Sequence, residues 1–154
     1  MRAGTENVAA IAGLGAAAEL AVKRMPEMER VGALRDRLEA RVLELAPGSR
    51  VNGHREKRLP NTLNVTLPGV RGEPVVLELD HRGVSLSSGS ACRSGSPEPS
   101  HALTAMGLTD EEAHCALRFS LGHETTEEDV DRAAESLADV LTDSASLVRF
   151  VPCR

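Results

Sequence analysis

Leu63-Asn64-Val65-Thr66-Leu67-Pro68-Gly69 is the stretch on which the fold turns. Apolar and polar residues alternate from Leu63 to Leu67, the period of a strand with one face buried. Pro68-Gly69 then closes it with turn chemistry. Upstream, the apolar residues keep a helical period instead. Val8, Ile11, Ala12, Gly15, Ala18 and Val22 predict a helix within residues 6–24, with Thr5 as its N-cap and Pro26 marking its end. Met28, Val31, Leu34, Leu38, Val42 and Leu45 predict a second helix from Glu27 to about Leu45, ended by Pro47-Gly48. The charges between them, Glu29, Arg35, Asp36, Arg37, Glu39 and Arg41, form its solvated face.

Downstream the periods alternate again. Residues 72–81 form a short helix with Pro74 in its first turn. Val84 and Leu86 begin a short strand. Pro99-Ser100 opens a helix through Met106 that Gly107 ends, and Thr109-Asp110-Glu111-Glu112 has capping-box spacing. Ala116 to Leu121 reads as a strand with Leu117, Phe119 and Leu121 on one face. Thr126 to Asp129 is a box-like cap for a long helix whose buried stripe is Val130, Ala133, Ala134, Leu137, Val140 and Leu141. The sum is an α+β fold: a small sheet of about three strands flanked by helices. The residues after about Asp143 carry little pattern, and 146–154 are expected to be a loose tail.

Composition narrows the function classes. The 154 residues suit one domain, and a hydrophobic fraction of 41% is enough for a core. Phe119 and Phe150 are the only aromatic residues, so there is no stacking platform for single-stranded nucleic acid. A net charge of -5 also argues against a nucleic-acid partner. No apolar run approaches the ~20 residues of a membrane span, and residues 1–24 show no secretory pattern. Cys92, Cys115 and Cys153 are odd in number and widely spaced, which argues against a disulfide framework and against a paired-cysteine metal site. A reducing cytoplasm is the expected location.

Ser87-Ser88-Gly89-Ser90-Ala91-Cys92-Arg93-Ser94-Gly95-Ser96 places one thiol in a run of small polar residues. Such residues build no core, so the segment is expected to be an exposed loop. Structural cysteines sit in apolar surroundings, whereas this one is accessible, and the neighbouring Arg93 favours its thiolate. By itself the loop is equally compatible with a linker that happens to contain a cysteine.

The segment Ser87 to Pro99 resembles the active-site loop of cysteine desulfurases of the nitrogen-fixation and iron–sulfur-assembly type. The likeness extends through Ser100-His101-Ala102-Leu103, Met106-Gly107-Leu108, Ala116-Leu117-Arg118-Phe119-Ser120-Leu121-Gly122 and Thr125-Thr126-Glu127-Glu128-Asp129. Upstream it includes Arg2-Ala3-Gly4-Thr5-Glu6-Asn7 and Leu59-Pro60-Asn61-Thr62-Leu63-Asn64-Val65. The resemblance implies a class V aminotransferase of fold type I that uses pyridoxal 5'-phosphate. It implies conversion of L-cysteine to L-alanine with a persulfide left on the protein for iron–sulfur cluster assembly. Cys92 matches the nucleophile, Arg118 the arginine that pairs with the substrate carboxylate, and Thr5 a threonine that reaches the cofactor phosphate of the opposite subunit. A homodimer and a sulfur-accepting scaffold protein are the implied partners. Arg2 could add charge near the phosphate.

The family's cofactor lysine, stacking histidine and pyridine-pairing aspartate belong to a large domain that precedes the matching region. Lys23 and Lys57, the only lysines, stand in no matching context. The resemblance therefore implies a C-terminal portion: residues 1–25 a linking helix, 26–145 the small domain with a mobile loop at 87–98, and 146–154 the tail. The isolated chain is expected to be inactive as a desulfurase, with the apolar face of its first helix exposed. A non-catalytic sulfur-relay or scaffold-docking module, and a selenocysteine lyase-like portion, are the alternatives. His101, His114, Cys115 and Cys153 are expected to be surface or structural residues. Asn61 and Asn64, flanking the first strand, are expected to stabilise turns.

Overall fold

The computed structural model describes residues 4–89 and 98–143. Cys92, Cys153 and Arg2 lie outside the described residues, as do most of the loop at 87–98 and the tail. Helix α1 (Val8–Arg24) runs through a short 3-10 turn (Met25–Glu27) into α2 (Met28–Leu45). There follow β1 (Arg50–Val51), β2 (Thr62–Thr66), α3 (Gly72–His81), β3 (Ser87–Ser88), α4 (His101–Ala105), α5 (Asp110–His114), β4 (Ala116–Ser120) and α6 (Glu127–Asp143). The strands form one antiparallel sheet in the order β1-β2-β4-β3.

The α+β architecture is as the periodicities predict, with four strands rather than about three. The added strand, Arg50–Val51, is too short to carry an alternation and is defined by its pairing with Val65 and Thr66. The strand expected at Val84 and Leu86 instead occupies Ser87–Ser88, where the chain comes alongside Arg118 and Leu117.

Alternation on β2 and β4 gives the sheet two unlike faces. Leu63 pairs with Phe119 and Val65 with Leu117, and all four are buried. They meet Val31, Leu34, Leu38 and Val42 of α2, Val75 and Leu79 of α3, and Val130, Ala134, Leu137 and Val140 of α6. One side of the sheet is thus closed by three helices. On the other side α4 and α5 cover only the end at Ala116, through Leu103, Leu108 and Ala113.

Gly72, the first residue of α3, fixes how close that helix comes to the sheet. A Cβ there would stand 2.7 Å from the carbonyl oxygen of Ala116 and 3.3 Å from Leu117 Cδ2. Backbone on one side and core on the other leave no easy escape. Gly72→Ala is expected to destabilise the fold by ~1–3 kcal/mol, although alanine is the better helix former. Equilibrium denaturation checks this, and a neutral or stabilising result would refute the close approach.

The caps hold their helices by reciprocal hydrogen bonds. Thr109 Oγ1 accepts from Glu112 N at 3.2 Å, while Thr109 N donates to Glu112 Oε2 at 2.8 Å. Thr126 and Asp129 repeat the pattern at 3.1 Å in each direction. At α1 the cap is Asn7, whose side chain accepts from Ala10 N at 3.1 Å, and not Thr5. The helix starts later than expected because Asn7 is the residue that reaches a first-turn N–H.

Arg37 of α2 grips Asp131 of α6 with two hydrogen bonds, at 3.0 and 2.8 Å. Those bonds hold the Asp131 carboxyl below the ordinary carboxylate range. The backbone N–H of Thr126 does the same for Asp129, and that of Thr109 for Glu112. Each group binds its proton less readily folded than unfolded. Its stabilising contribution is therefore complete above the unfolded pKa and is lost as pH falls through the lowered folded value. All three are only partly buried and remain in reach of solvent, so each effect is small. Their full contribution should hold the melting temperature steady between pH 7 and about 5, and the melting temperature should decline below about pH 4 as it is lost. A melting temperature that rises on acidification below that point would contradict this assignment.

α1 stands apart from the core. None of its residues is buried, and Val8, Ile11, Leu14 and Val22 are all more than half exposed, Leu14 by 72%. This is the exposed apolar face expected from the sequence. Its C-terminal end meets the rest of the chain at Arg24, whose Nη1 lies 2.6 Å from His123 Nε2. Arg30 Nη1 donates to the carbonyl of Thr125 at 2.8 Å and Nη2 to that of His123, which pins the same turn.

Candidate active site

The polar face of the sheet carries the candidate site. Asn64 of β2 lies opposite Arg118 of β4, and Arg118 lies opposite Ser87 of β3. Antiparallel partners point to the same face, so these three side chains form a row across the sheet. Asn52, which follows β1, extends the row by donating its backbone N–H to the Asn64 carbonyl at 2.9 Å. Each is half-buried.

Among the described residues, the Arg118 guanidinium is held only at Nη2. Nη2 donates to Ser87 Oγ at 3.2 Å. Nε is buried and has no hydrogen-bond partner among the described residues. A buried guanidinium N–H without a partner is costly, and such groups mark places where a ligand or further chain completes the bonding. The edge formed by Nε and Nη2 is the one a carboxylate grips side-on with two parallel bonds.

The segment that leads to Cys92 starts beside this arginine. Gly89, three residues before Cys92, donates its N–H to the Ala116 carbonyl at 2.8 Å. Its own carbonyl accepts from Asn64 Nδ2 at 3.4 Å. Gly89 has φ +55°, a left-handed conformation suited to glycine.

The other expected residues are spread through the molecule. Thr5 lies exposed on the approach to α1, and no hydrogen bond or ion pair among the described residues links it to the Arg118 face. His101 is exposed in α4, His114 ends α5, and Cys115 is buried between α5 and β4. Asn61 does not close a local turn in this bond: its Nδ2 donates across from the start of β2 to the Leu121 carbonyl past the end of β4, at 3.3 Å. Asn64 does not flank its strand but sits in the middle of β2, facing the site. The sequence reading left out Asn52 and gave Ser87 no role at the site. A lone polar residue in an alternating strand signals an outward face, but the partners in its row depend on register.

A half-buried guanidinium whose Nε has no partner among the described residues, on the sheet face where Gly89 lies three residues before a thiol in sequence, belongs to a recognisable class of protein. The Aminotransferase class-V family matches residues 1–133, and the chain belongs to that family. Its relatives include the cysteine desulfurase NifS of Azotobacter vinelandii, 48% identical over 91% of this chain and 35% of the relative. A cysteine desulfurase of Gluconacetobacter diazotrophicus is 50% identical over 91% of this chain and 35% of its own length. The X-ray structure of a NifS-like protein from Rickettsia africae matches with a TM-score of 0.78 at 32% identity, over 92% of this chain and 36% of that one. The chain thus spans a little over a third of the length of the relatives it matches.

Proposed function

We propose that this chain supplies the substrate-carboxylate clamp and the sulfur-accepting thiol of a cysteine desulfurase that serves iron–sulfur cluster assembly. The observation that carries this reading is Arg118 Nε, buried and without a partner among the described residues, on the face where Gly89, three residues before Cys92, bonds to β4. A pure sulfur relay has no need of a carboxylate clamp.

In this reading Arg118 fixes L-cysteine by its α-carboxylate, and the Cys92 thiolate attacks the substrate sulfur. An S–S bond forms and the C–S bond breaks. The electron pair stays with the substrate carbon, which takes up a proton to give L-alanine, and Cys92 keeps the persulfide. A scaffold protein of cluster assembly then removes that sulfur. The chemistry is that of a reducing cytoplasm, and the reading includes a homodimer with Thr5 turned to the cofactor phosphate of the opposite subunit.

The cofactor the family implies, pyridoxal 5'-phosphate, supplies an electron sink when bound. This chain's residues do not fit its covalent anchor. Lys23 stands in the last turn of α1 and Lys57 in the exposed loop before β2, and neither is on the face that holds Arg118. The residues here fit the substrate end of such a site, and the anchor must come from elsewhere.

Treating the chain with inorganic polysulfide, alkylating it and mapping the products by mass tests the acceptor role. Added sulfur is expected on the peptide containing Cys92. Sulfur found only on Cys115 or Cys153, or no uptake, would exclude Cys92 as the acceptor.

A further inference from the structure

We infer that Ser87 is a positioning residue for Arg118: its hydroxyl fixes the direction in which the guanidinium faces without taking up its charge. The inference rests on the reading of Arg118 as the carboxylate clamp.

Several other arginines of this chain are held by acids. Arg37 lies 2.8 Å from Asp131, Arg58 2.7 Å from Glu39 and Arg35 2.6 Å from Asp36. Each of those cations is offset by a carboxylate of the same chain. Arg118 has no acidic partner among the described residues. Its one side-chain hydrogen bond there runs from Nη2 to Ser87 Oγ at 3.2 Å. An acid in that place would orient the guanidinium but would also compete with an incoming carboxylate for it. A hydroxyl is uncharged, so it orients the fork and leaves the positive charge for a ligand.

Register makes Ser87 the residue for this task. Arg118 stands in its row between Asn64 and Ser87. The Asn64 amide is engaged elsewhere. Its Oδ1 accepts from Asn52 Nδ2 at 2.7 Å, and its Nδ2 donates to the Gly89 carbonyl at 3.4 Å. Ser87 faces Arg118 across the β3–β4 ladder, so backbone pairing brings Oγ within reach of the fork. A serine oxygen sits close to its own backbone and makes a firm post for a long, rotamer-rich side chain.

Three substitutions test the assignment. In the chain labelled with 15N-arginine, the Arg118 guanidinium signals are those lost in Arg118→Ala. Ser87→Ala should speed rotation about the Arg118 Nε–Cζ bond roughly three- to tenfold, the loss of one ordinary hydrogen bond. Ser87→Thr keeps the hydroxyl and should restore the slow rate. The Val65 and Leu117 amides should keep their protection from deuterium exchange throughout. In a chimaera carrying the N-terminal part of the Azotobacter vinelandii relative, Ser87→Ala should raise KM for L-cysteine roughly three- to tenfold with kcat nearly unchanged. Ser87→Thr should bring KM back. In the Arg118→Ala background Ser87→Ala should add nothing, because it acts through Arg118.

Unchanged rotation of the Arg118 guanidinium in a folded Ser87→Ala protein would overturn the proposal. So would equal loosening in Ser87→Thr, which would trace the effect to strand packing and not to the hydroxyl. Faster exchange at Val65 and Leu117 would do the same, by making Ser87 merely structural. The clamp reading fails separately. If Arg118→Ala leaves KM unchanged, the clamp falls even where Ser87→Ala frees the guanidinium. If Arg118→Ala raises KM and Ser87→Ala does not, the clamp stands and positioning by Ser87 is wrong.

Discussion

Replacing Arg118 with alanine is expected to lower kcat/KM for L-cysteine by about 10- to 100-fold, the loss of hydrogen bonds to a charged group. The measurement needs the missing anchor. A chimaera that joins this chain to the N-terminal part of the Azotobacter vinelandii relative, assayed by alanine production, would supply it. Among the described residues Nε has no partner and Nη2 is held by Ser87 Oγ, so their shared edge is the place for a carboxylate. A carboxylate bound there is bound in the ground state and in the transition state alike. Most of the loss should therefore fall on KM rather than kcat. Arg118→Lys keeps the charge but not the fork, and should recover only part of the loss. If alanine at this position left KM unchanged, the clamp would have to lie elsewhere.

Leu117→Ala should be the most damaging single change to stability. Leu117 is fully buried, sits in the inner strand β4 opposite Val65, and lies against the start of α3 at Gly72. Three helices converge on this face, so the neighbours cannot easily collapse into the space left. A cost of ~2–5 kcal/mol is expected. Domains of this size have about 5–15 kcal/mol in total, so the variant should sit close to its unfolding threshold. The check is a lowered denaturation midpoint with an unchanged slope. A loss below ~1 kcal/mol would mean that the core is far looser than these contacts show.

What the sequence revealed and what it hid have separate physical causes. β2 and β4 were legible because Leu63, Val65, Leu117 and Phe119 alternate with polar residues. α2 and α6 were legible through their apolar stripes, and the Thr109 and Thr126 boxes through their spacing. β1 and β3 were hidden or displaced because two residues hold no period, and only pairing makes them strands. Arg118 could be singled out as a residue, but its setting could not. The row Asn52–Asn64–Arg118–Ser87 joins positions far apart in sequence, and its register is fixed by the whole sheet. Thr5 was assigned the helix cap from residue type alone, whereas the first-turn geometry selects Asn7.

The shortness of β1 and β3 has a further consequence. Among the described residues they are the two outer strands of the sheet, and each offers only two residues of backbone to a neighbour. A sheet that ends this way is a poor template for strand addition by another chain, the usual route to fibrous aggregation. Among the described residues, the naked aliphatic surface of α1 is then a stronger source of self-association than the sheet edges. Such clumping is governed by side-chain hydrophobicity, so placing charges on α1 would suppress it without touching the fold.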